Sequence, residues 1–520
     1  MHSVVVQVGK ADVSAHDVLA VARGGARVEI GPDALAEMAA ARARIDALAA
    51  EPRPVYGVST GFGALAVRHI SPELRAQLQR SLVRSHAAGM GPLVETEVVR
   101  ALMFLRMKTL ASGRTGVRPL VAQTMAALLN AGITPAVREF GSLGCSGDLA
   151  PLSHCALVLM GEGTAFGPDG VEKDAAELLA AAGIEPVELL EKEGLALING
   201  TDGMLGMLVM ALADLQRLYT TADITAAMTL EALLGTDKVL APELHAPIRP
   251  HPGQAAAAAN MLAVLRGSGL TGHHQDDAPR VQDAYSIRCA PQVAGAGRDT
   301  LAHAALVADR ELAASVDNPV VLPDGRVESN GNFHGAPVAY VLDFLAIAAA
   351  DLASISERRT DRLLDKARSH GLPAFLADDP GVDSGLMIAQ YTQAALVSEN
   401  KRLAVPASVD SIPSSAMQED HVSMGWSAAR KLRQAVANLG RVLAVELVAS
   451  ARALEIREQA AEETGVLAPA TAAAVAAARA AGVGGPGRDR FLSPDLEAAA
   501  ELVASGTLIG AVEQVTGPLA

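Results

Sequence analysis

Apolar residues recur at helical spacing through most of this chain, and the segments they mark are long. After Gly31-Pro32, the positions Leu35, Met38, Ile45 and Leu48 fall on one face of an amphipathic helix, which Pro52 and Pro54 end. Ser71-Pro72-Glu73 supplies a capping serine, a proline at the first helical position and an acid in the first turn, so another helix starts there. Leu74, Leu78 and Leu82 then form a stripe expected to be buried, and the same four-residue step lands on His86. Helical patterns follow over 95–112, 119–131 and 149–160. From Met204 to Leu234 the chain is apolar nearly all round, which predicts a helix inside a bundle. Long helices are predicted over 298–316, 336–367, 386–403 and 425–460, then an alanine-rich segment at 466–482 and a capped helix from Ser493. Residues 3–8 and 26–30 read as short strands separated by Gly24-Gly25, and 161–190 as a surface excursion. Bundles of this kind gather residues from distant loops at their ends.

Composition agrees with a mainly α chain. Of 520 residues half are apolar, yet only 3% are aromatic, which favours close-packed helices over sandwiches of aromatic strands. The formal charge is −15 and no basic run is interleaved with aromatics, so nucleic acid and anionic membranes are not expected partners. Cys145, Cys155 and Cys289 are too few and scattered for a disulfide framework, and a reducing cytoplasm fits them. The N-terminus lacks the basic region and length of a signal peptide. Charges interrupt the apolar runs, as at Asp214 and Asp343, so no membrane span of ~18 to 20 apolar residues is expected.

The candidate chemistry centres on Gly141-Ser-Leu-Gly-Cys-Ser-Gly-Asp-Leu-Ala-Pro-Leu-Ser-His154. A nucleophile elbow needs G-x-S-x-G, and Gly147 directly after Ser146 breaks that frame. Gly147 lacks a Cβ, so its amide nitrogen can fold back onto the carbonyl carbon of Cys145 and close a five-membered ring. Loss of water there and dehydration of Ser146 would leave an exocyclic methylidene, an electrophile made from backbone. Only the carbonyl of Cys145 is used, so its side chain is free to vary. A glycine-rich turn capping a helix, with Ser146 or Asp148 as N-cap, is the plainer alternative.

This tripeptide resembles the Ala-Ser-Gly that the aromatic amino-acid ammonia-lyases cyclise into methylidene-imidazolone (MIO), with Cys145 where that family usually has alanine. Five further segments resemble the same family, in order. Val55-Tyr-Gly-Val-Ser-Thr-Gly-Phe-Gly63 is similar to its tyrosine loop, which implies Tyr56 as the base for the β-proton. An unperturbed tyrosine has a pKa of ~10, so such a base needs a cationic or hydrogen-bonded setting. Leu197-Ile-Asn-Gly-Thr201 implies that Asn199 hydrogen-bonds the ring carbonyl or the substrate. The segment from Arg280 to Gln292 implies roles for Gln282, Tyr285 and Arg288, and on a helix Tyr285 and Arg288 share one face. Arg288 suits bidentate capture of a carboxylate, and Tyr285 is a second candidate base. Asn330-Gly-Asn-Phe-His-Gly335 implies that Phe333 sits beside the prosthetic group. The stretch from Ser408 to Gly425 resembles the branch acting on histidine, in which a Gln-Glu-Asp-His run supplies an acid, here Glu419. A carboxylate pairs with an imidazole and is a costly neighbour for a phenyl ring. Ser85-His86 fits the same branch, as does Ser384–Tyr391, where Met387 is a candidate pocket residue.

The resemblance implies a long antiparallel helical bundle of the aspartase/fumarase-like type with a small N-terminal α+β portion. An N-terminal domain is expected over 1–195 and a long-helix bundle with a C-terminal appendage over 196–520. It also implies elimination of ammonia from L-histidine to give trans-urocanate, no external cofactor, and a homotetramer with shared active sites. A tyrosine ammonia-lyase or MIO-dependent aminomutase is the alternative, with Glu419 as the discriminating residue, and a non-catalytic helical scaffold is a third reading. Metal is a minority reading at His334 and at His273, His274, Asp276 and Asp277, which lack H-x-x-x-H spacing.

Overall fold

A computed structural model describes residues 4–9, 13–51, 54–271, 281–460 and 466–520. The histidine and aspartate group at 273–277 lies outside the described residues. The fold is mainly helical with a few short strands. The long apolar patterns became Asp202–Ala232, Ala290–Ala313, Ala336–Leu364 and Gly425–Ala460. Despite the break read at Asp343, Ala336–Leu364 contains a stretch long and apolar enough to cross a membrane; most of that stretch is buried inside the protein.

The chain forms two compact units, each built from three segments. The first comprises Met1–Met210, Ala305–Asp343 and Pro406–Arg430. Val5–Val8 and Arg27–Ile30 pair in parallel, with Val6 opposite Val28. Parallel pairing needs a crossover, and Ala15–Ala22 provides it as a helix absent from the sequence reading. Ser14 and Asp17 close a reciprocal capping box at its start. The helix Thr96–Ala111 is the spine of this unit, buried on nearly every side. The supposed surface excursion carries Thr164–Phe166 and Glu172–Asp174, which join Thr134–Pro135 in a three-stranded antiparallel sheet, and the helix Ala175–Ala182.

One expectation about the helix Pro72–His86 is overturned. Its buried face is Arg75, Gln79, Leu82 and Val83, whereas Leu74 is exposed and Leu78 half-buried. The polar pair is buried with hydrogen bonds to backbone, although Gln79 Nε2 has no partner among the described residues. Arg75 donates to the carbonyls of Ile70 and Ala49, and the Gln79 amide oxygen accepts the Gly194 amide at 2.9 Å. The leucine stripe is therefore left for another use.

The second unit comprises Ala211–Ala304, Phe344–Val405 and Lys431–Ala520. Its interior holds a fully buried Glu446, which takes both Nε and Nη2 of Arg359, at 2.5 and 2.8 Å, and the hydroxyls of Ser356, Thr225 and Thr229. Both oxygens of this buried carboxylate are thus hydrogen-bonded. The alanine-rich helix Pro469–Ala480 packs against Thr507–Thr516.

Candidate active site

A cavity of about 550 Å³ opens in the first unit where the loop after Val55, the end of Pro72–His86 and the tripeptide meet. Its polar lining includes Tyr56, His86, Ser146, Asn199, Asn318 and Glu419. Leu78 and Leu82 line it too, so the leucine stripe faces this cavity. The Tyr56 loop is anchored by Val55 and Val58, which pack with Ala41, Ile45 and Val321.

Glu419 stands at the centre of the polar contacts. Ser146 Oγ lies 3.5 Å from its Oε1, and Ser414 Oγ donates to Oε2 at 2.9 Å. Ser414 and Glu419 also pair through their backbones, closing a loop in which Ser415, Ala416 and Met417 all have left-handed φ, between 52° and 70°. Three successive non-glycine residues in that region cost roughly 1–3 kcal/mol each, so surrounding contacts must hold the loop. The strain secures the carboxylate beside Ser146.

The electrostatics follow from burial beside that carboxylate. The Cys145 thiol is pushed up to about 12 by desolvation and by Glu419, so it stays protonated. Burial raises the Tyr56 phenol; the amide of Gly63 opposes this weakly, and Glu419 and Asp317 add to it. Of the cationic or hydrogen-bonded setting expected for Tyr56, the described residues provide the hydrogen bond, from the Gly63 amide at 3.4 Å. Burial lowers the His86 imidazole more than Glu419 raises it, and Ser85 Oγ meets its Nδ1 at 3.0 Å.

Asn199 is fixed at both ends. Its carbonyl accepts Arg106 Nη1 at 2.7 Å and its Nδ2 donates to the Asn318 carbonyl at 2.9 Å, while Oδ1 is buried with no partner among the described residues. A lone acceptor on the cavity wall calls for a donor from a ligand. Behind Asn318, Lys192 and Asp317 form a fully buried ion pair at 2.6 Å. The sequence reading missed Arg106, Lys192, Asp317 and Asn318. Arg106 had one signal, a cation inside the apolar run Met103-Phe-Leu-Arg-Met107.

Of the remaining candidates in the first unit, Phe333 is not among the described residues that line this cavity. Gln282, Tyr285, Arg288 and Met387 belong to the second unit. Tyr285 and Arg288 share the short helix Tyr285–Arg288, with the guanidinium 4.5 Å over the phenol ring. Phe333 is half-buried, and the adjacent His334 stacks on His421, ring planes within 2°, which ties the 330–335 loop to the loop of Glu419.

Residues 13–480 match the family described as aromatic amino acid lyase, nine-tenths of the chain. This chain belongs to the aromatic amino acid lyase family. A histidine ammonia-lyase from Streptomyces coelicolor is 78% identical over 519 residues, covering 100% of both chains. Among solved structures, a tyrosine aminomutase from Streptomyces globisporus superposes with TM-score 0.92 at 39% identity, covering 99% of this chain and all of that one. A histidine ammonia-lyase from Trypanosoma cruzi gives TM-score 0.89 at 37% identity, over 98% of this chain and 95% of that one.

Family members generally use MIO, and the residues of this lyase fit it. Gly147 has φ +80°, and a Cβ there would stand 2.0 Å from the Gly200 carbonyl oxygen, so only glycine is accommodated. The next amide, of Asp148, donates to that same carbonyl at 2.7 Å. The Asp148 carboxylate does not cap its own helix. It accepts the amides of Gly203 and Met204 and the Ser142 hydroxyl, which ties the residue after the tripeptide to the start of Asp202–Ala232.

Proposed function

We propose that this chain eliminates ammonia non-oxidatively from L-histidine to give trans-urocanate, using an MIO group formed by Cys145, Ser146 and Gly147. One observation carries the substrate choice. Glu419, 3.5 Å from Ser146, is the only acidic side chain among the described residues lining the cavity, and it shares the wall with His86. A carboxylate accepts an imidazole N–H and neutralises an imidazolium; a phenyl ring offers it neither, and a phenol offers a hydrogen bond without the charge.

The roles follow from the chemistry of each group. When formed, the MIO group supplies the electrophile that makes the amine a leaving group. Glu419 and His86 orient the imidazole, and the unpartnered Asn199 Oδ1 receives an ammonium N–H. Tyr56 takes the β-proton. Its phenol is raised in this chain, so it needs a cation in the assembled site to act near neutral pH. Among the described residues no lysine or arginine lines the cavity, so the substrate carboxylate needs one as well. Arg288, with Tyr285 and Gln282, supplies it from a neighbouring copy in a homotetramer; Phe333 and Met387 complete the walls. All three cysteines are free, in keeping with a cytoplasmic location.

The test is absorbance from urocanate on adding L-histidine, with L-tyrosine as control. Urocanate from histidine alone supports the reading. A β-amino acid or coumarate from tyrosine, with no urocanate, replaces it with aminomutase or tyrosine lyase chemistry. Loss of two waters in the intact mass, absent in Ser146→Ala, reports the MIO group independently of turnover.

A further inference from the structure

Arg106 has no part in the chemistry so far, yet it lies directly behind the tripeptide. It is fully buried on the helix Thr96–Ala111. Nη1 donates to the Asn199 carbonyl and Nη2 to the Val316 carbonyl, both at 2.7 Å, and Asp202 Oδ2 lies 3.4 Å from Nη1. Gly200 is pressed between this guanidinium and Gly147. A Cβ on Gly200 would stand 2.4 Å from Nη1, and a Cβ on Gly147 would strike the Gly200 carbonyl. Arg106, Gly200 and Gly147 thus stack with no side-chain atom between them, and the Asp148 amide pins the turn through Gly200.

We propose that Arg106 is a positioning residue for the self-processing of Cys145-Ser146-Gly147, holding the Asn199–Gly200 backbone as the rigid wall against which Gly147 is folded. This rests on the MIO reading above. In processing, the Gly147 nitrogen bonds to the Cys145 carbonyl carbon. The carbonyl oxygen leaves as water with the protons of the Gly147 and Ser146 nitrogens, which creates a double bond from that carbon to the Ser146 nitrogen. The Ser146 hydroxyl then leaves as a second water with the Ser146 α-proton. No oxidant or co-reactant is needed. The first step requires two backbone atoms of neighbouring residues to be held in near contact, and its rate depends on how firmly that geometry is imposed. Space-filling alone would not call for a charge here, since burying a guanidinium costs free energy that only its partners offset. The two carbonyls fix its plane, with Asp202 close by as counter-charge, and a fixed plane fixes Gly200.

The experiment follows intact mass with time on full-length chain freshly made by cell-free synthesis, with circular dichroism reporting the fold. Wild type should lose two waters and Ser146→Ala should not. If wild type keeps both waters, the MIO reading fails and this inference with it. Given processing in wild type, Arg106→Met should lose water at least about tenfold more slowly while retaining its helical spectrum. Arg106→Lys, a point charge able to hold one carbonyl but not two, should fall between. Folded Arg106→Met that processes at the wild-type rate would overturn the inference alone. Should Arg106→Met not fold, the lysine variant decides: slow processing supports the role and wild-type processing refutes it.

Discussion

Glu419 and Cys145 show how much one carboxylate sets at this site. Glu419→Gln keeps the shape and a hydrogen bond but removes the charge that favours imidazole. Hydrogen bonds to charged groups contribute about 1.5–3 kcal/mol, so kcat/KM for histidine should fall roughly tenfold to a hundredfold in urocanate initial rates. An unchanged kcat/KM would place the imidazole elsewhere. Cys145 invites the opposite expectation. Its thiol is pushed up to about 12 and stays neutral, and ring closure uses only its carbonyl, so Cys145→Ala should process and turn over as wild type does. A large loss on alanine substitution would give the thiol a chemical task. At this scale the sequence was most readable where a motif carried the chemistry: Tyr56, His86, Ser146, Asn199 and Glu419 share one cavity. Arg106, Lys192 and Asp317 were illegible because isolated charges on apolar elements acquire meaning only from the carbonyls and counter-charges that tertiary folding brings to them.

Elements add strain and titration to that site. The 414–419 loop carries Ala416 at φ 52°, where glycine sits without penalty, so Ala416→Gly should stabilise the fold by up to about 1 kcal/mol. It should also loosen Glu419 and raise KM for histidine; higher thermal stability with unchanged KM would separate the strain from the function. A second element contact titrates. His154, on the helix Leu149–Leu159, accepts the Gly89 amide through Nε2 at 3.2 Å, which it can do only unprotonated. Burial first and Arg138 second lower its pKa in the folded chain. A lowered histidine stabilises fully above the unfolded value of 6.5, and that contribution is lost as pH falls through the lower folded value. Thermal midpoints should drop on acidification from pH 7 to 5, and more gently in His154→Gln, whose amide oxygen accepts without titrating. Equal pH slopes for the two proteins would remove His154 from the effect. Long helices were legible because their apolar periodicity persists over many turns. The eight-residue helix Ala15–Ala22 was not, since two turns give too few repeats and its capping box was the sole local signal.

For the whole molecule, the decisive fact is a charge the cavity lacks. Among the described residues its lining offers a carboxylate, an imidazole and a phenol but no cation, and an amino-acid substrate brings a carboxylate that must be met. Tyr285, 72% exposed, and Arg288 stacked on it belong to the second unit, although their motif was among the most recognisable in the chain. Sequence motifs specify residue types without specifying which copy of a chain uses them, so a site divided between copies reads as continuous. If a neighbouring copy supplies the 282–288 segment, two inactive variants should repair each other. Ser146→Ala spoils the cavity and leaves Arg288 intact; Arg288→Met does the reverse. Mixed at equal amounts, dissociated and reassembled at random, they should form sites that pair an intact cavity with an intact arginine at about a quarter of positions. Histidine turnover should then rise from near zero towards that fraction of wild type, with each variant alone remaining inactive after the same treatment. Failure to recover activity in verified hybrid oligomers would mean that cavity and arginine must come from one chain.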